Sequence, residues 1–213
     1  MDTNGLMQIL SKKDPPNLDK IIHLALTDAG VLMITLNGMA AVEDNYRYNC
    51  VKVLLQIIDR QPAILYPYWD RFVKLLDSPN AYHRAIAVQA LSGLALVDCQ
   101  GRLESLLDRY LDMLDDKSVM VARYFAQSIC KVIHAKPSQE EKIITHLLDV
   151  DKTHHTQSRR DLIKADLVTS FDELFGTIQK KDRIFAFVER QMASSSPKAR
   201  QAAKDFLKKH QKQ

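Results

Sequence analysis

Glycine and proline are scarce, six and seven in 213 residues. An all-β chain needs turn residues every ten positions or so, and this chain cannot supply them. So few glycines also leave little material for catalytic loops. The sequence holds no Gly-x-Gly-x-x-Gly, no phosphate-cradling glycine loop and no Gly-x-Ser-x-Gly nucleophile turn. No apolar run approaches the roughly 18 residues of a membrane-spanning helix. The longest, Gly30 to Val42, is broken by Thr35, Asn37 and Gly38. The opening Met-Asp-Thr-Asn-Gly has neither a basic nor an apolar stretch, so no signal peptide is expected. Cysteine is limited to Cys50, Cys99 and Cys130, with no Cys-x-x-Cys. Reduced thiols in a cytoplasmic protein are the expected reading, without a membrane partner.

What the chain does have is a beat. Arg47, Arg84, Arg123, Arg160 and Arg200 follow one another at gaps of 37, 39, 37 and 40 residues. Three places after each stands Cys50, Ala87, Ala126, Ile163 or Ala203, and seven places after each Leu54, Leu91, Cys130, Leu167 or Leu207. Self-similarity near 40 residues, carried on helical spacing, marks a helical-repeat array. The unit is plainest at 67–97. Pro67 opens a helix bearing Phe72, Leu75 and Leu76. Asp77-Ser78-Pro79-Asn80 turns the chain. A second helix from Ala81 carries Ala87, Ala90, Leu91 and Leu94 on one stripe. Residues 103–134 repeat the design around Asp115-Asp116-Lys117-Ser118. Ser138 with Glu141 reads as a capping box, Gly176 as a helix stop, and Ser196-Pro197 as a cap and first-turn proline.

The strings Leu75 to Leu91 and Met113 to Ile129 resemble HEAT repeats. In that family the first helix ends in Leu and Asp, and the second opens on a Val-Arg-like pair followed by Ala and Ala-Leu. The resemblance covers about residues 30–210, departing at Thr153, Asp166 and Ala193. It implies an all-α fold, an α-α superhelix (solenoid) of about five to six helix pairs. The approximate repeats are 1–28, 30–60, 67–97, 103–134, 139–175 and 180–210 of a single domain, 1–213. Such proteins resemble scaffolds and adaptors, so a non-catalytic protein-binding function without cofactor is expected, with the partner on the concave face. Two alternatives stay open. One is a nucleic-acid-binding protein similar to the alkylpurine DNA glycosylases, for which Trp69 and Asp70 would be the relevant residues. The other is a HEAT-like lyase or assembly factor.

Within this frame the arginine column reads as a structural ladder. Arg47, Arg84 and Arg123 are expected to reach turn carboxylates such as Asp77 and Asp116, which the turns of Arg160 and Arg200 lack. Second helices should line the concave face. Positions off their apolar stripe are then candidate partner contacts: Tyr48, Lys52, Ala85, Gln89, Tyr124, Ser128, Lys131 and Asp161. Aromatic anchors flanked by lysine are typical of interface centres. Charge is uneven: residues 180–213 hold 10 basic and 3 acidic side chains, a charge of +7 against −3 for the rest, summing to +4. Arg200, Lys204, Lys208 and Lys209 are therefore candidate contacts for phosphate or an acidic partner. His146, His154 and His155 cluster with Asp149 and Asp151 around a long turn. Without a His-Glu-x-x-His pattern they are expected to form a solvated loop and bind no metal.

Overall fold

The computed structural model describes residues 3–210, which hold twelve α-helices, six short 3-10 segments and no strand. The chain divides into two compact units, Met1–Val97 and Asp98–Gln213.

The first unit contains α1 (Thr3–Leu10), α2 (Leu18–Thr27), α3 (Ala29–Gly38), α4 (Asp44–Arg60), α5 (Trp69–Leu75) and α6 (Ala81–Leu94). Asp28 separates α2 from α3 because its carboxylate accepts from the N–H groups of Gly30 and Val31, capping the new helix. The two helices diverge by 118° there. No single described helix is long and apolar enough to cross a membrane. Asn49, wholly buried, donates its amide to the carbonyls of Leu10 and Lys12, meeting acceptors that the end of α1 leaves open. Asn80 caps α6 through the Tyr82 N–H. The expected stripe of Ala87, Ala90, Leu91 and Leu94 is fully buried. At Gly93 a Cβ would stand 2.2 Å from Ile58 Cγ2, so glycine is what lets α6 cross α4 this closely.

In the second unit lie α7 (Arg102–Leu111), α8 (Val119–Ala135), α9 (Glu140–Leu148), α10 (Gln157–Leu174), α11 (Lys181–Gln191) and α12 (Pro197–His210). Among them α10 packs between α8 and α12, and α11 against α12. Two buried carboxylates join neighbouring segments. Asp98 accepts from the N–H groups of Arg102 and Leu103 and pairs with Lys136 Nζ at 3.0 Å. Glu140 accepts from the N–H groups of Gln179 and Lys180, just ahead of α11. The expected capping box at Ser138 does not form. A 3-10 turn over Pro137–Gln139 moves the start of α9 to Glu140, and Glu141 pairs instead with Lys180 and Arg183.

The recurring arginines open the second helices, and four of them do the same thing. Arg47 Nη1 donates to the carbonyls of Ala41 and Val42, Arg84 Nη1 to Ser78 and Pro79, and Arg200 Nη1 to Ser194 and Ser195. Arg160 Nη1 reaches Asp151 and Thr153 across its longer turn. A turn between helices exposes carbonyls that neither helix satisfies, and one guanidinium nitrogen meets two of them. Arg160 and Arg200 therefore keep the pattern without a turn aspartate. Arg123 differs, and its carboxylate is Asp166 of α10 rather than Asp116. Asp116 accepts from the Ser118 N–H ahead of α8.

Cys50 and Cys130 are buried in the repeat columns and Cys99 is exposed. Burial pushes the Cys50 thiol up to about 12, against a hydrogen bond from Tyr46 that pulls it down. Burial, then the hydrogen bond to Glu173 and its charge, push Cys130 to about 12. In an unfolded chain thiols ionise near about 8.5. The raised values mean that this contribution to stability is whole below that pH and is lost as pH rises toward 12. At neutral pH the native protein should therefore release one equivalent of thionitrobenzoate from Ellman's reagent, at Cys99, and all three thiols should react once it is denatured. Reaction of two or more thiols in the native state would contradict the buried assignment.

Candidate functional site

Large apolar side chains left in solvent are few, and three of them are tyrosines on second helices. In the first unit Tyr48 projects from α4 with 58% exposure and Tyr82 from the head of α6 with 59%. Each ring has a cation over it. Lys52 Nζ stands 4.5 Å from the Tyr48 centroid, one helical turn along, and the Arg47 guanidinium 5.6 Å from that of Tyr82. Exposed cation–π contacts contribute about 0.5–1 kcal/mol each and hold ring and cation together. His83 sits beside them, its Nδ1 2.9 Å from Ser78 Oγ. Burial, then the charge of Arg47, lowers its pKa, which favours the neutral ring. The result is an aromatic and cationic surface across α4 and α6. Gln89, half-buried, donates to the Ala85 carbonyl of its own helix, and Ala85 is buried, so Ala85 is not the surface contact expected.

In the second unit Tyr124 of α8 is 38% exposed, next to Arg123. Asp166 of α10, its side chain 4% exposed, lies between Arg123 Nε at 2.7 Å and Lys198 Nζ at 2.6 Å. Three successive second helices thus share one carboxylate. Ser170 Oγ adds a bond to the Ala126 carbonyl, and the Cys130 thiol one to Glu173, both joining α8 to α10. Ser128 is half-buried and bonds the Tyr124 carbonyl, and Lys131 is half-buried. Asp161 was expected at the surface but is 2% exposed. It accepts from Gln157 Nε2 and Ser195 Oγ. Burial opposes its charge, but hydrogen bonds from Ser195, Gln157 and Ser194 outweigh that and lower its pKa. Asp161 lines a cleft of about 290 Å³ together with Lys164, which pairs with Asp151 at 2.6 Å.

The basic end sorts into two kinds. Lys209 pairs with Asp172 at 3.0 Å, and Arg200 is committed to its turn carbonyls. Lys204 and Lys208 are exposed and have no ion-pair partner among the described residues. Trp69 is 2% exposed, and its ring meets Tyr66 edge-on at 5.9 Å between centroids. Its indole is thus unavailable to stack on a base, which removes the tryptophan from the glycosylase alternative. The long turn after α9 is not the solvated loop expected, for Val150, Thr153 and His155 are buried.

Counting from the arginines missed Tyr82, which stands two places before Arg84 and not after it. It also missed Lys198. Asp166 had a signal, since it breaks the repeat pattern where an apolar or neutral residue is usual. Compared with known proteins, the chain matches no family model and no curated protein.

Replacing Asp166 with Ala should leave Arg123 and Lys198 without their shared acceptor. Both cations are partly exposed, at 32% and 48%. Solvent screening therefore limits the expected loss in stability to roughly 1–3 kcal/mol. Urea unfolding measures it; a change within about 0.5 kcal/mol, typical of an ordinary surface substitution, would show that the shared carboxylate does not hold the three helices.

Proposed function

We propose that this protein is a non-catalytic binding scaffold, a HEAT-like solenoid that takes a protein partner on the surface of its second helices. The carrying observation is the exposed tyrosines on those helices, Tyr48 and Tyr82 in the first unit and Tyr124 in the second, each beside a lysine or arginine. Tyrosine offers a large rigid contact at low entropic cost, and the neighbouring cation selects carboxylates. The partner that fits is a protein segment carrying apolar and acidic side chains. Polar groups elsewhere support a structural assignment, because the arginine column, Asp161 and Asp166 are engaged internally. A second reading keeps one observation: Lys204 and Lys208 on the last described helix are exposed cations with no ion-pair partner among the described residues, suited to nucleic-acid phosphate.

Affinity capture from the source cells separates these. The wild-type chain should retain a specific protein. The Tyr48→Ala/Tyr82→Ala variant or Tyr124→Ala should lose it at least about tenfold, as expected of anchors worth 1.4 kcal/mol or more. Circular dichroism should stay unchanged. A captured set identical across these variants would sink the choice of surface. Nuclease-sensitive capture that Lys204→Glu/Lys208→Glu abolishes would favour the second reading.

A further inference from the structure

The turn between α9 and α10 carries His154 and His155, and Asp115 reaches it from the turn before α8. One potential ligand atom from each of the three lies within 4.8 Å of the others. We infer that Asp115, His154 and His155 form a binding site for a single divalent transition-metal ion of the zinc type.

The strongest support is His155. Its side chain is 97% removed from solvent by residue exposure (3%), yet neither ring nitrogen has a hydrogen-bond partner. Buried polar atoms are nearly always satisfied, so a bare imidazole beside a carboxylate and a second imidazole calls for a partner, and a metal ion is one these groups can bind. The other two residues are bonded to each other. Asp115 Oδ1 accepts from the His154 backbone N–H at 2.8 Å and lies 2.6 Å from His154 Nδ1. The two imidazole rings are 4.2 Å apart at their centroids.

The three candidate atoms, within 4.8 Å of one another, close onto an ion by shifts of the exposed pair. Ligand atoms on a tetrahedral ion with bonds of about 2.0 Å stand about 3.3 Å apart. The Asp115–His154 pair is now bridged by a proton, and exchanging that proton for the ion spreads it by about 0.7 Å. Both side chains are about half exposed and can adjust at the surface, whereas buried His155 supplies the fixed point. Arg159 opposes a cation here, and Asp116 together with Asp115 offsets it. A cleft of about 420 Å³ opens beside the Asp115 carboxylate, lined also by Asp112, His146, Asp149 and Lys152. Two imidazoles with one carboxylate select zinc, cobalt, nickel or copper over magnesium or calcium. Three protein ligands leave one position for water or for a side chain from a partner.

Sequence spacing alone conceals the site, because Asp115 is 39 residues from His154. The test uses the untagged full-length chain, stripped with chelator, and two probes: Zn²⁺ by calorimetry and Co²⁺ by visible absorption. One equivalent should bind, and Co²⁺ should develop the intense visible bands of a low-coordinate site. Asp115→Asn, His154→Ala and His155→Ala should each weaken binding by at least about tenfold. His23→Ala, at an exposed histidine of the other unit, should leave it unchanged. If buried His155 proves necessary for folding, the two exposed ligands still decide the matter. Absence of saturable one-equivalent binding, or equal affinity in wild type, Asp115→Asn and His154→Ala, overturns the site.

Discussion

Four of the turns in this protein expose carbonyls that neither flanking helix satisfies, and all four are closed in the same way. The closing device is an arginine near the start of the second helix, which sends one guanidinium nitrogen back to two turn carbonyls. With that bond made, the second helix leaves the turn in a fixed direction. Its alanine column then meets the neighbouring helix at a depth that only small residues allow. Ala87, Ala90 and Ala203 on such helices are fully buried. The apolar burial provides most of the driving force, and the arginine sets the register in which it is collected.

This arrangement explains why so much of the fold was legible in the sequence. Helix pairs, turns and buried columns are local features, each written within about 35 residues, and their repetition supplied redundancy. Asn80 and Ser196-Pro197 mark helix starts by chemistry that acts over one turn, whereas Pro67 lies in a 3-10 segment, Tyr66–Tyr68, and α5 begins at Trp69. The expected capping box at Ser138 failed for a nonlocal reason. Lys180 and Arg183, some 40 residues later, claim the Glu141 carboxylate and leave none for a cap. Arg123 likewise exchanged its expected local partner for Asp166 on another helix.

Functional residues were less legible because exposure and pairing are three-dimensional properties. Tyr48, Lys52 and Tyr124 were placed correctly at the surface, since a fixed offset from the arginine selects a helix face. Asp161 had the same offset but is buried, because the longer turn and Ser195 close over it. His155 shows the reverse error. A polar turn reads as solvated, yet packing removes one of its two histidines from water and sets it beside a carboxylate from another pair.

The clamp at Arg84 is the most direct place to test the central claim, since this residue is only 4% exposed and bonds the carbonyls of Ser78 and Pro79 at 2.7 and 3.1 Å. Equilibrium urea unfolding of Arg84→Met and Arg84→Lys is the measurement. Loss of the charged donor should cost Arg84→Met roughly 1.5–3 kcal/mol, and lysine, lacking the planar fork, should restore only part of it. A methionine variant as stable as wild type, or full rescue by lysine, would contradict the view that the guanidinium clamp sets the turn.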